Sequence, residues 1–274
     1  MGNLPTCFSH WNYADGITAI QVPGLLAGPG SRGGYGRTIV YLVEGSERAL
    51  LLDTGFGMGD LRAYVEALTD KPLIVLNSHV HPDHSGGNSQ WPVIYVGWGE
   101  TTGPEPIFFP EEAIPGTYCD AVKNADGYEF SFLSDGMLID LGDRTLEVIA
   151  VPGHTPGSIT LLDSKTKMLL SGDALLKRVL LFGDVPMRSY RSALERLDQR
   201  EISNILGAHW PKPLGRDHIR RMISVLDNFD PEKVERAPWG GFGTMCVFLQ
   251  GEQFEDADFC AIGYPEEYLA DLMS

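Results

Sequence analysis

A chain of 274 residues is long enough to bury a sizeable core. Its 43% hydrophobic and 21% charged residues lie near globular averages, which excludes disordered and fibrous classes. The formal net charge of −16 argues against nucleic acid or an anionic lipid surface as main partner, because phosphate recognition needs an excess of Lys and Arg.

Short apolar runs rich in β-branched residues predict strands over Gly16–Val22, Thr38–Val43 and Ala49–Leu52. Leu61, Tyr64, Val65 and Leu68 fall at helical spacing and predict a helix over Gly59–Leu68. Leu73–Leu76 reads as a buried strand that runs straight into SHVHPDHSGGN. A cluster of histidines is thereby delivered to the C-terminal end of a strand, where α/β sheets place their chemistry. The segment 99–134, with several Gly and Pro among aromatics such as Phe108, Phe109, Tyr118, Tyr128, Phe130 and Phe132, reads either as a lid over a site or as an inserted surface excursion. Strands are then predicted over Met137–Ile139, Leu146–Val151, Ser158–Leu162 and Met168–Leu170, a helix over Ser192–Arg200, a strand over Ile202–Leu206 and a helix over Asp217–Asn228.

The tail, residues 238–274, contains GGFGTMCVFLQ and FCAIGY and reads as extra strands and a last short helix. It either covers the core or serves a subunit interface, and a homodimer is compatible with it. No composition break marks a linker, so one domain over residues 1–274 is expected, with the 99–134 insertion and the 238–274 segment appended. Two β-rich halves with flanking helices suggest an α/β fold of two sheets packed face to face, helices outside. No apolar run approaches the ~18 residues of a membrane span, and the N-terminal residues show neither the basic head nor the apolar centre of a signal peptide. Cys7, Cys119, Cys246 and Cys260 form no CxxC pair, which reads as reduced thiols in a cytoplasmic protein.

His79, His81, Asp83 and His84 form HxHxDH. Four ligand-type side chains on one tight loop can converge on one point or two, and imidazole with carboxylate suits zinc, iron or manganese. His154 stands in VPGHTPGS, where Pro152, Gly153, Pro156 and Gly157 force a turn with the imidazole at its apex. Asp173 ends an apolar strand in LLSGDAL, and His209 follows another in GAHW. Each is weak evidence alone, but their shared placement after predicted strands makes them mutually supporting.

With LLDTG (51–55), SHVHPDHSGGN (78–88), VPGHTPGSITLLD (151–163), LLSGDAL (169–175) and GAHW (207–210) in this order and spacing, the chain resembles the metallo-β-lactamase-fold superfamily. The resemblance implies a four-layer αββα sandwich and a dinuclear metal site. His79, His81 and His154 would hold one ion, Asp83, His84 and His209 the other, and Asp173 would bridge them. Asp53 would orient a ligand by hydrogen bond rather than touch metal. The implied cofactors are two divalent ions, zinc by default, with iron, manganese or cobalt accepted by the same ligands. The implied activity is hydrolysis of a small-molecule electrophile by a hydroxide shared between the ions, with Asp83 as general base.

The bridging Asp173 sets the pattern apart from true β-lactamases of the superfamily. His81 stands where flavodiiron members carry Glu, and the net charge of −16 speaks against RNA-processing members. N-acyl homoserine lactonases and glyoxalase II-type thioester hydrolases share the seven-residue set. Lactonases carry a Tyr three residues beyond the bridging Asp, where this chain has Leu176, leaving Tyr190 or a tail tyrosine to fill that role. Glyoxalase II-type enzymes add a basic helical domain, whereas this tail is acidic and strand-like. A hydrolase of a small ester, lactone or thioester is expected. Phosphoester or organophosphate hydrolysis is the alternative within the same chemistry, and a metal-binding signalling protein with incidental hydrolysis is the alternative outside it.

Overall fold

The computed structural model describes residues 7–24, 37–100, 127–182, 185–230, 232–238, 244–251, 253, 254, 256 and 258–272. In chain order the strands are β1 (Ser9–Ala14), β2 (Ile17–Pro23), β3 (Arg37–Glu44), β4 (Ala49–Leu52), β5 (Leu73–Leu76), β6 (Val93–Gly97), β7 (Glu129–Leu133), β8 (Leu138–Asp140), β9 (Thr145–Ala150), β10 (Ile159–Asp163), β11 (Leu169–Gly172), β12 (Arg178–Leu180), β13 (Asn204–Gly207), β14 (Leu214–Gly215), β15 (Glu235–Pro238), β16 (Thr244–Gln250) and β17 (Cys260–Pro265). The helices are α1 (Leu61–Glu66), α2 (Pro82–Ser85), α3 (Met187–Asp198) and α4 (Asp217–Asp227). No helix among the described residues is long and apolar enough to cross a membrane.

Strands β1 to β7 form a seven-stranded sheet in sequence order, and a six-stranded sheet runs β14-β13-β11-β10-β9-β8. Side-chain alternation decides how they stack, because successive residues of a strand point to opposite faces. In β4, Leu50 and Leu52 join Ile17, Ile39 and Tyr41 on one face, meeting Leu146, Val148, Leu161, Leu170 and Leu206 of the second sheet. Ala49 and Leu51 point the other way and pack with Leu61, Tyr64 and Val65 of α1. In the second sheet Ile149, Leu169 and Ile205 face outward and meet Tyr190, Leu194 and Leu197 of α3 and Ile219 and Met222 of α4. The result is the αββα sandwich.

A third, four-stranded sheet, β12-β17-β16-β15, is an addition to that plan. Cys246, Cys260, Ile262 and Tyr264 place it in the same apolar cluster as α3 and α4. Its β12 and β17 pair in parallel, Arg178 with Ala261 and Leu180 with Gly263.

Local differences from the sequence expectations have physical causes. Helix α1 starts at Leu61 rather than Gly59 because Gly59 has φ +80° and Asp60 caps the helix by accepting from Ala63 N at 2.9 Å. Helix α3 begins at Met187, ahead of the expected Ser192, since Met187 and Tyr190 extend its buried stripe. Within 99–134, residues 101–126, including Phe108, Phe109 and Tyr118, lie outside the described residues. Phe130 and Phe132 belong to β7, the edge of the first sheet, which leaves both rings more than a third exposed. The 238–274 segment supplies β16, β17 and a terminal 3₁₀ turn over Glu266–Leu272.

One buried ion pair ties the sheets together at the end away from the histidines. Arg144 donates to Asp163 at 3.2 Å and to the carbonyls of Glu44 and Asp15, with both side chains of the pair fully enclosed. Replacing Asp163 with alanine strands a guanidinium in the core, so a loss of about 3–5 kcal/mol of unfolding free energy is expected. A urea midpoint equal to that of the unmodified protein would show that the pair contributes nothing.

Candidate metal centre

The sandwich collects the C-terminal ends of several strands at one rim. Strand β5 ends at Leu76 and leads into His79, His81 and α2, which carries Asp83 and His84. Strand β9 leads to the turn of His154, β11 to Asp173 and β13 to His209. Asp53 directly follows β4 in the left-handed region at φ +70°. The approach is close: Gly172 has φ +52°, and a Cβ there would lie 2.3 Å from Ser78 Oγ. Only glycine lets the strand before Asp173 lie against the histidine loop.

All seven sequence-predicted ligand residues, with Asp53 behind them, meet at this rim. His79 Nε2 lies 3.0 Å from His81 Nδ1 and 3.1 Å from His154 Nε2, and His154 Nε2 lies 2.9 Å from His81 Nδ1. Around them, His209 Nε2 is 3.1 Å from Asp83 Oδ2 and 3.2 Å from Asp173 Oδ2. His84 Nε2 is 3.4 Å from Asp83 Oδ2 and 3.5 Å from Asp173 Oδ1, and His154 Nε2 is 3.6 Å from Asp173 Oδ2. Among the described residues, three sets have their ligand atoms within 4.8 Å of one another: His79, His81 and His154; His79, His84 and Asp173; Asp83, His84 and His209.

The outer ring nitrogens show which way the lone pairs face. His154 Nδ1 lies 2.6 Å from Leu180 O, and a carbonyl only accepts, so Nδ1 carries the proton and Nε2 the lone pair. His84 Nδ1 donates to Asp53 Oδ2 at 2.8 Å. Ser78 Oγ donates to the same oxygen at 2.9 Å, which leaves it to accept from His79 Nδ1 at 3.1 Å. Asp53 also accepts from Ser78 N at 2.7 Å. One carboxylate thus holds His84 directly and His79 through Ser78, turning both Nε2 atoms toward the centre.

Charge separates the site into two parts. Burial pushes the His79, His81 and His154 imidazoles down, His81 to about 3, so these three are neutral. Burial also raises the Asp83 and Asp173 carboxyls, but the His84 and His209 imidazoles beside them hold both well below the usual carboxylate range. Against their own burial, His84 is raised by Asp83, Asp53 and Asp173, and His209 is pushed up to about 10 by Asp173 and Asp83. The field of these carboxylates demands positive charge at the centre, which protons or metal ions can supply.

A metal fits the donor set. His84 Nε2 and Asp173 Oδ1 are buried with no hydrogen-bond partner, an expensive condition for polar atoms that a cation between them relieves. Three neutral imidazole nitrogens lie 2.9–3.1 Å from one another, and with those of His79 and His154 turned inward as acceptors, a cation shared by the three or a proton on His81 Nδ1 satisfies them.

Some neighbours of the site carry no sequence signal. Phe182 sets its ring 5.4 Å from those of His81 and His154 and is half-buried. Glu100 accepts from Val80 N and Gly157 N, and Thr38 Oγ1 donates to Asp83 Oδ2 at 3.3 Å. Only Ser78 had a local cue, standing immediately before HxHxDH. Tyr190, a candidate to replace the lactonase tyrosine, does not do so: it is fully buried, and its hydroxyl donates to Ala174 O at 2.6 Å. The Leu176 side chain is buried in the outer core.

Known proteins are similar to this chain in sequence and fold. Residues 33–209 match the family model described as the metallo-beta-lactamase superfamily. The human acyl-coenzyme A thioesterase MBLAC2 is 29% identical over 281 residues, covering 92% of this chain and 89% of that protein. The hydroxyacylglutathione hydrolase GloC of Haemophilus influenzae is 24% identical over 160 residues, 56% of this chain and 74% of the relative. Among solved structures, a metallo-beta-lactamase from Pontibacter korlensis superposes with a TM-score of 0.58 at 20% identity, covering 81% of this chain and 100% of that one, a likeness of fold. With the family model spanning β3 to β13, and with them the histidine loop and the segments that carry His154, Asp173 and His209, the chain belongs to the metallo-β-lactamase superfamily and is one of its hydrolases.

Proposed function

We propose that the chain is a dinuclear metal-dependent hydrolase of thioesters. The observation that carries this reading is the convergence of seven ligand side chains, three of them neutral imidazoles within 3.1 Å of one another and two of them ionised carboxylates. His79, His81 and His154 would hold one ion and Asp83, His84 and His209 the other, with Asp173 between them. Zinc is the default ion. When bound, two such ions supply Lewis acidity and bring a water's pKa toward neutrality.

The chain's own residues supply the rest. The Asp83 carboxylate takes a proton from the attacking water, since it is ionised and faces the centre of the site. Asp53 keeps His84 and His79 oriented through the bonds described above. Phe182 places an apolar wall beside His81 and His154 that excludes water from one side.

Thioesters are favoured over lactones by Leu176, which puts no hydroxyl donor at the position three residues beyond Asp173 where lactonases carry a tyrosine. A thioester has less need of one. Its carbonyl is more electrophilic than an ester's, and a thiolate of pKa about 8.5 leaves without a proton donor. The thioesterase and hydroxyacylglutathione hydrolase activities of the two relatives support the same choice.

The test is a panel of an acyl-coenzyme A, an aryl ester, a lactone and a phosphodiester offered to metal-loaded protein. Turnover above about 1 s⁻¹ is expected on the thioester, read by thiol release, with loss on chelation and return with added metal. Faster turnover of the lactone or phosphodiester, or none on any member, overturns the assignment.

A further inference from the structure

We propose that Glu100 is a positioning residue: one carboxylate that sets the distance between the two loops carrying His79, His81 and His154. The inference rests on the reading that these three hold a metal ion, and it goes beyond that reading by assigning the ion's fit to a residue that does not touch it.

Glu100 stands in the turn after β6, where its amide donates to Gly97 O at 3.1 Å. Its two oxygens divide between the loops. Oε2 accepts from Val80 N at 2.8 Å, the peptide nitrogen between His79 and His81. Oε1 accepts from Gly157 N at 3.0 Å and from the Thr155 hydroxyl, Thr155 being the residue after His154. Thr155 is itself held by Ser158, whose hydroxyl lies 2.6 Å from its own. These bonds end on neighbours of the three histidines and not on Asp83, His84, Asp173 or His209.

The site is built for this carboxylate. A Cβ on Gly99 would lie 2.6 Å from Pro156 O, and one on Gly157 would lie 2.3 Å from Glu100 N, so two glycines admit the turn into the His154 loop. The donors that meet the carboxylate are two amides and a hydroxyl, a set that an acceptor-only group satisfies and an amide does not. Glutamine keeps the shape but turns an NH₂ toward one of the loops, opposing donor to donor. Aspartate is one methylene too short to reach both loops at once.

A loop pair held by a rigid carboxylate presents three nitrogens at fixed separation, and a metal site pays heavily for separations that drift. Loosening one side of the bracket therefore weakens the His79, His81, His154 position and spares the Asp83, His84, His209 position.

The test is a cobalt(II) titration of metal-free protein, read by visible absorbance and by competition with a chelator, so that catalysis plays no part. The unmodified protein is expected to take two ions. Glu100→Gln is expected to weaken one of the two by about 10-fold to 100-fold, the range seen when a residue supporting a metal ligand is removed, and to leave the other within about twofold. Thr155→Val, which removes one donor to the same carboxylate, is expected to shift the same ion by a smaller factor and serves if Glu100→Gln does not fold. Two unchanged affinities in a folded variant, or equal weakening of both, overturn the role of Glu100 while leaving the dinuclear reading intact. An unmodified protein that takes no cobalt overturns both.

Discussion

Replacing Asp83 with alanine is expected to lower the rate constant for thioester hydrolysis by about 10²–10⁴-fold, the range that a positioned proton acceptor contributes, and to remove one metal equivalent. Asp83 Oδ2 lies 3.1 Å from His209 Nε2 and 3.4 Å from His84 Nε2, so alanine takes the carboxylate away from both imidazoles and from the attacking water together. Asp83→Asn separates the two effects, because it keeps an oxygen ligand of the same size and cannot accept the proton. Its metal content, measured by elemental analysis, is expected to stay near two while kcat falls. Full activity in a fully loaded Asp83→Asn protein removes Asp83 from proton transfer, and full activity with full metal in Asp83→Ala removes it from the site altogether.

The second large effect is expected at Asp53. Its carboxylate accepts from Ser78 N, Ser78 Oγ and His84 Nδ1 within 2.9 Å, and both partners of the His84 contact are essentially enclosed. Alanine leaves three buried donors unmet and keeps a left-handed backbone at φ +70° that aspartate tolerates better. A loss of about 3–5 kcal/mol in stability and about 10-fold to 100-fold in metal affinity should follow, measured by urea unfolding and by chelator competition. Asp53→Asn keeps the backbone preference and sets an NH₂ against either Ser78 or His84, so it should recover part of the stability and little of the affinity. Parental values for Asp53→Ala in both measurements would reduce Asp53 to a turn residue.

Much of this arrangement is legible in the sequence because ligand chemistry and secondary structure coincide there. Strands β4 and β5 have the predicted bounds, and each is followed by residues of the site, Asp53 after one and Ser78–His84 after the other. The relevant information is local: an apolar run, then a turn, then a ligand. What escapes notice is non-local. Glu100 is a single acid in a stretch of Gly, Trp and Thr, and nothing near it in the chain announces that Val80 and Gly157 will be its partners. Strand β7 reads as irregular because an edge strand leaves Phe130 and Phe132 outward, which blurs the alternation that marks a strand with one covered face. The parallel pairing of β12 with β17 joins segments far apart in the chain, and parallel partners leave no hairpin signal between them.

That pairing ties the site to a strand far along the chain. His154 is held through Leu180 O, and Leu180 sits in β12, which has β17 as its neighbour in the sheet. Lys177, just before β12, donates to the carbonyls of Phe254 and Asp256 at 2.8 Å. Strand β17 thus braces, through β12, a histidine that lies far before it in the chain. A chain truncated before Cys260 lacks that brace, so the geometry of the histidine cluster, and with it any metal affinity, is expected to depend on the integrity of a sheet appended to the sandwich.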